Sequence, residues 1–333
     1  MASIVLGLAA SHSPLLILDG AEWSVRGEDD MSGRVPLNTL DGRYVRYAEL
    51  KAMRGEPYKD IATPERFRQD SDAAERALDH LAAALAAAAP DVVVIVGDDQ
   101  GELFDPANIP ALCVFNGEEI VMRPWTSSKN SMPWAGEAFY RGYARDTTHR
   151  FPGAPALATD IVNRFIDDGI DVALSSSVPE PERHGFGHAI GFIVQRLFGG
   201  KRYPVVPVLL NTYYPPNTPT PRRCYAIGQS LRRAIEASPE NARVAIIASG
   251  GLSHFLCEEE LDRDIVRALR VHDADYLAGM DPKPLIAGSS EIRNWVLVAG
   301  AIPHLEWKWD EYIPVRRTPA GTGIGLGFME WRS

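Results

Sequence analysis

The chain has 333 residues, with 34 lysines and arginines against 44 aspartates and glutamates, a formal charge of −10, and 45% hydrophobic residues. This is the balance of a globular protein with a large core, and the negative charge argues against nucleic acid or an anionic membrane surface as a partner. A small molecule is the expected ligand, and three scattered cysteines, Cys113, Cys224 and Cys257, too few for a disulfide framework or a Cys-rich zinc site, point to a reducing, cytoplasmic setting.

The opening MASIVLGLAASHSPLLIL has no basic flank and is interrupted by Ser11, His12, Ser13 and Pro14, so it reads as a strand over 3–10 and a loop. No run approaches the ~18 apolar residues of a membrane span. Residues 20–63 carry charges, glycines and aromatics without a sustained period, which suits a long ordered excursion serving as a cover. Thr63 and Pro64 then cap an alanine-rich helix running to Ala89, and DVVVIVG follows as a strand. Helices are expected near 156–169, 187–198, from Arg222 to Ala237, and from Glu259 to 278, with strands at 171–175, 203–211 and 242–251. That alternation predicts an α/β sheet covered on both faces. GTGIGLG at 321–327 has no helix behind it, so it reads as a strand and turn rather than a dinucleotide loop.

Polar residues gather at three strand ends: His12 after the first, Gln100 and Glu102 after VVVIVG, and Ser253 and His254 after VAIIASGG. In open α/β sheets that end collects ligands, so these groups are expected to converge. Of eight histidines, His80 and His272 lie in predicted helices and His149 and His304 in ordinary surroundings, leaving His12, His184, His188 and His254 in loops or past strand ends. Imidazoles with carboxylates and no thiolate suit non-haem iron(II), manganese or zinc, and acid/base work by one histidine is equally open. A serine hydrolase is disfavoured: no G-x-S-x-G is present, and Ser253 and His254, being adjacent, point apart on an extended chain.

Several motifs in one order carry a family likeness: ASHSP around His12, RHG at 183–185, NTYYPPNTPTPRRCYAIGQSLRRAIEASPE at 211–240, ASGGLSHF at 248–255, then SEIRNWVLVAGAIP and EYIP…GTGIGLGFM. Together they resemble the class III extradiol ring-cleavage dioxygenases, including the catalytic β subunit of protocatechuate 4,5-dioxygenase and stand-alone gallate and 3-O-methylgallate dioxygenases. The resemblance implies a single large α/β domain over 1–333 with a mixed central sheet flanked by helices. It implies a mononuclear non-haem Fe(II), with Mn or Zn as alternatives, held by two histidines and a glutamate, and a histidine acid/base. Both atoms of O2 would be inserted into a catecholic aromatic acid.

Carried over by position, the resemblance makes His12 a metal ligand and His184 the acid/base, with His254 beside it as a second catalytic histidine. Glu260, in a Glu-Leu-Asp step after the SGGLSH motif, becomes the glutamate ligand, and His188, Tyr213 and Ser253 become substrate contacts. Where the relatives have a second histidine ligand, this chain has Gln100, so Gln100 or nearby Glu102 is expected to supply that donor, with Asp98 able to do so from the other side. A different metal or reaction, or a metal-free scaffold, follows if none does. A homodimer without a separate small subunit is implied, with residues 20–63 as the active-site lid.

Overall fold

The computed structural model describes residues 1–124 and 136–333. The chain opens with β1 (Ser3–Ala10), α1 (Trp23–Met31), a small hairpin of β2 (Leu37–Asn38) and β3 (Tyr44–Val45), and α2 (Tyr47–Arg54). Next come α3 (Pro64–Ala88), β4 (Val92–Asp98), β5 (Leu112–Phe115), β6 (Glu119–Met122), α4 (Gly136–Gly142) and β7 (His149–Pro152). The middle of the chain forms α5 (Pro155–Asp167), β8 (Ala173–Ser175), α6 (His188–Leu197), β9 (Val205–Leu210), α7 (Pro221–Ala237) and β10 (Arg243–Ser249). It ends with β11 (His254–Leu256), α8 (Glu259–Arg270), α9 (Ala274–Gly279), α10 (Ile292–Ala301), β12 (Glu306–Arg316) and β13 (Thr322–Arg332).

The main sheet runs β11-β13-β1-β10-β4-β9-β5-β8, with β12 paired to β13. Its centre, β1-β10-β4-β9, is parallel, whereas β13 and β5 run antiparallel to their neighbours β1 and β9, so the sheet is mixed. The two-residue period sorts the core: Val92, Val94 and Val96 of β4 pack into the layer containing α5, α7 and α10. Val93 and Ile95 point the other way, into the layer containing α3 and α6. With both faces covered, the central strands read as continuous apolar runs, which is why they are plain in the sequence.

Two expectations needed revision. Residues 20–63 hold two helices and a hairpin rather than aperiodic chain. Their period is hidden because α1 buries Asp30, which pairs with both Arg26 and Arg317, and much of Arg26, so its inward face is charged. The helix expected from Glu259 to 278 is two helices, broken at His272, whose φ is 52°, and restarted by Asp273, whose side chain accepts the Tyr276 N–H. The three cysteines are free and buried, and among the described residues no helix is long and apolar enough to cross a membrane.

Because β1, β10 and β4 are parallel neighbours, their carboxyl ends lie side by side. This brings together the residues after Ala10, after Asp98 and after Ser249.

Candidate active site

Ligand-capable atoms of His12, Asp98, His188 and Glu291 all lie within 4.8 Å of one another. His12 follows β1, Asp98 ends β4, His188 starts α6, and Glu291 immediately precedes α10. His12 Nδ1 lies 2.9 Å from Ser249 Oγ, whose own proton goes to the Ala189 carbonyl at 2.7 Å. Ser249 must therefore accept from His12 Nδ1–H, which leaves the lone pair of the neutral ring on Nε2. That nitrogen is buried without a hydrogen-bond partner, 3.2 Å from Glu291 Oε2. A lone pair facing a carboxylate oxygen calls for positive charge between them, a proton or a metal ion.

His188 is fixed in the same sense. Its Nδ1–H donates to Glu102 Oε2 at 2.8 Å, and its backbone N–H donates to Glu102 Oε1, also at 2.8 Å. Glu102 thus caps the start of α6 and turns the ring so that Nε2 faces the cluster. Gly187 permits this, since a Cβ there would sit 1.9 Å from Glu102 Oε2. Burial raises the pKa of Glu102, but His188 and Arg145 overcome it and hold the carboxyl down to about 2. Burial likewise lowers that of His188, yet Glu102, Asp98 and Glu291 carry it up to about 10: positive charge is favoured among these carboxylates.

Gln100 lies where a ligand was expected, with its amide nitrogen turned toward the carboxylates. Its Nε2 donates to Asp98 Oδ2 at 3.0 Å and to Glu291 Oε1 at 3.1 Å, bridging the two carboxylates. The amide orientation is set by this network, because the opposite one would put an oxygen against two carboxylates. Asn294, one helical turn after Glu291, donates to Asp98 Oδ1 at 3.3 Å and to the Ser249 carbonyl at 2.9 Å. Gly251 N–H donates to Glu291 Oε2 at 2.7 Å. Burial works against ionisation of Glu291, but positive charge facing it at His12 and His254, together with that N–H, holds its carboxyl well below the ordinary range. Asp98 is pushed up by burial and by Glu291. Two imidazole nitrogens and two carboxylates without a thiolate form a donor set that fits a divalent metal of the iron, manganese or zinc kind.

His12, His188 and Glu291 of the cluster form one wall of a cavity of about 210 Å³, also lined by Leu15, Arg26, Phe139, Tyr143, Tyr213, His254, Arg317 and Ile324. His254 Nδ1–H donates to the Leu252 carbonyl at 2.9 Å, so Nε2 carries the lone pair, 3.6 Å from Glu291 Oε2. Burial lowers the pKa of His254 and favours the neutral ring. Tyr143 donates to the His12 carbonyl at 2.8 Å and places its ring edge-on to His188.

The expected site residues therefore separate into groups. His12, His188, Tyr213 and His254 reach the cavity, and His188 is also one of the four residues whose ligand-capable atoms cluster. Gln100 and Glu102 reach it too, but their hydrogen bonds go to Asp98, Glu291 and His188. His184 does not: it is exposed, while Phe186, buried and bonded to Val121, anchors the segment so that His188 turns inward. Glu260 does not either, lying exposed in the first turn of α8. The physical reason is β11, which pairs with β13 from His254↔Ile324 to Leu256↔Thr322 and carries the chain on before α8 begins. Ser253 points away from His254, donating to Asp262 Oδ2 at 2.6 Å and accepting the Glu258 N–H at 2.9 Å. Asp98 was foreseen only as an alternative donor beside Gln100, and Glu291 was not anticipated. Their signal was a carboxylate abutting a fully apolar strand, and another abutting the apolar helix IRNWVLVAGA, where burial demands a partner.

Residues 62–323 match the family described as the catalytic LigB subunit of aromatic ring-opening dioxygenase. Gallate dioxygenase of Pseudomonas putida is 30% identical over 200 residues, 54% of each chain. A 2,3-dihydroxyphenylpropionate/2,3-dihydroxicinnamic acid 1,2-dioxygenase of Rhodococcus sp is 27% identical over 272 residues, 79% of this chain and 75% of that one. The corresponding protein of Azotobacter vinelandii is 30% identical over 148 residues, 44% and 42% of the two chains. The chain thus spans about half the length of the Pseudomonas and Azotobacter relatives. The family match takes in three of the four clustered residues, Asp98, His188 and Glu291, together with Gln100, Glu102 and His254, and this chain belongs to the family of the catalytic LigB subunit of aromatic ring-opening dioxygenases.

Proposed function

We propose that the chain is an extradiol dioxygenase that inserts both atoms of O2 into a catecholic aromatic acid at a mononuclear non-haem Fe(II). The observation that carries this reading is the meeting of His12, Asp98, His188 and Glu291 beside a cavity that His12, His188, Glu291 and His254 line. Family membership and the names of the relatives, whose substrates are vicinal diols bearing a carboxylate, agree with it.

His12 and His188 would hold the metal through Nε2, with Asp98 and Glu291 as carboxylate donors and Gln100 keeping those two carboxylates apart. When bound, the metal supplies Lewis acidity toward diol oxygens and the one-electron chemistry that dioxygen requires. His254, fixed with its lone pair on Nε2, takes a diol proton and can return it. Leu15, Phe139 and Ile324 give the cavity an apolar lining that restricts water. The stretch at 20–63 contributes Arg26 to the wall, which supports its reading as a cover.

The test is to prepare the protein anaerobically with Fe(II), Mn(II) or Zn(II), measure bound metal, and follow oxygen uptake with protocatechuate, gallate, 3-O-methylgallate and 2,3-dihydroxyphenylpropionate. One metal per chain and oxygen uptake with the redox-active metals alone is the expected result. A protein that takes up none of the three metals would overturn the reading in favour of a scaffold.

A further inference from the structure

Opposite in character to the acidic cluster, a pair of guanidiniums lines the same cavity. Arg26 comes from α1 and Arg317 from the turn between β12 and β13, with 12% and 5% of their side chains exposed. They share one buried carboxylate: Arg317 Nε donates to Asp30 Oδ2 at 2.9 Å, and Arg26 Nη2 lies 3.3 Å from Asp30 Oδ1. Arg26 Nη1 is held by Asp29 at 2.7 Å. The approach is close because residue 27 is glycine; a Cβ there would lie 2.5 Å from the Arg317 carbonyl oxygen. Among the described residues, Asp30 is the hydrogen-bonding partner of Arg317, and it engages Nε alone. The Nη groups of Arg317 make no hydrogen bond to the described residues, and Arg317 lines the cavity. Burial and the neighbouring Arg317 both lower the pKa of Arg26, so holding two cations here is costly.

A cavity with two carboxylates, Glu102 and Glu291, beside its histidines, buried Asp98 behind them, and two guanidiniums elsewhere on its wall suits a ligand of two unlike ends. A guanidinium fork matches a carboxylate in shape as well as charge. We propose that Arg317, braced through Asp30 against Arg26, is the carboxylate anchor of this site and restricts its substrates to catechols bearing an acid group. The diol end of this assignment rests on the proposed dioxygenase function, whereas the anionic end does not. It also gives the stretch at 20–63 a part in specificity, since α1 supplies both Arg26 and Asp30.

The experiment compares 3,4-dihydroxybenzoate with its neutral amide in steady-state oxygen uptake by the Fe(II)-loaded protein, and benzoate with benzamide in calorimetric binding, which needs no turnover. The wild type is expected to favour acid over amide in kcat/KM by about tenfold or more, the scale of one charge-assisted pair. Arg317→Met should bring that ratio toward one, and Arg317→Lys should restore part of it. Equal use of acid and amide by the wild type overturns the proposal without any variant having to fold. An Arg317→Met protein that loses acid and amide in equal proportion overturns it as well, leaving the arginine a strap for α1. Selective benzoate binding without oxygen uptake would keep the anchor and reject the dioxygenase, while oxygen uptake without acid preference would do the reverse.

Discussion

Glu102 grips His188 through both carboxylate oxygens, one on the backbone N–H and one on ring Nδ1–H, each at 2.8 Å. One carboxylate therefore caps α6 and orients a ring whose other nitrogen faces the cluster of ligand-capable atoms. Carboxylate partners of ligating histidines are worth about 10–100-fold in metal affinity. Glu102→Ala should weaken metal binding by that order without abolishing it, as read by competition with a chelator. Complete loss of metal would instead make Glu102 a ligand.

Gln100 separates two buried carboxylates that would otherwise repel each other. Gln100→Leu removes both hydrogen bonds, and the metal-free protein should lose about 1–3 kcal/mol of stability in denaturant unfolding. Saturating metal should recover part of this, because a cation among the carboxylates replaces the lost donors. Gln100→Glu should be worse in the metal-free protein, since it places a third carboxylate between the first two.

Glu291 and Glu260 give a clean contrast. Glu291 is buried against His12, His254, Gln100 and Gly251, whereas Glu260 is exposed on α8. Glu291→Ala should abolish stoichiometric metal in elemental analysis. Glu260→Ala should keep full metal content and change unfolding free energy by no more than about 0.5 kcal/mol.

The carboxyl of Asp98 is raised by burial and by adjacent Glu291, so its proton competes with a metal at higher pH than an ordinary carboxyl would. Metal affinity should fall as pH is lowered, with Asp98→Asn removing part of that dependence in chelator titrations. For the metal-free protein the sign reverses. A carboxyl whose pKa rises on folding binds more protons folded than unfolded, so its contribution to stability declines as pH climbs above its unfolded pKa of about 3.9 toward its folded value.

Much of this architecture is legible in the amino-acid order because the central strands are buried on both faces. Runs such as VVVIV announce themselves, and the polar residues that follow mark the site's location, with His12, His188, Tyr213 and His254 reaching the cavity. The details were hidden by short-range geometry. Three residues of β11 remove Glu260 from the site, and Phe186 anchors the loop that exposes His184. Glu291 looked like an ordinary acid before a helix, a favourable place for any carboxylate. Its partners lie far away in sequence at His12 and Gln100, and the α1 contact with Arg317 spans a similar separation. Contacts of that range follow from topology, which local periodicity does not encode.

The most direct test of the central claim is turnover of a catecholic acid by the Fe(II)-loaded protein under 18O2, with the ring-opened product analysed by mass spectrometry. The structure of the site predicts a product carrying both labelled oxygen atoms, formed by the wild type and lost in His12→Ala and Glu291→Ala. A product with a single labelled atom, or labelled product formed undiminished by both variants, would contradict it.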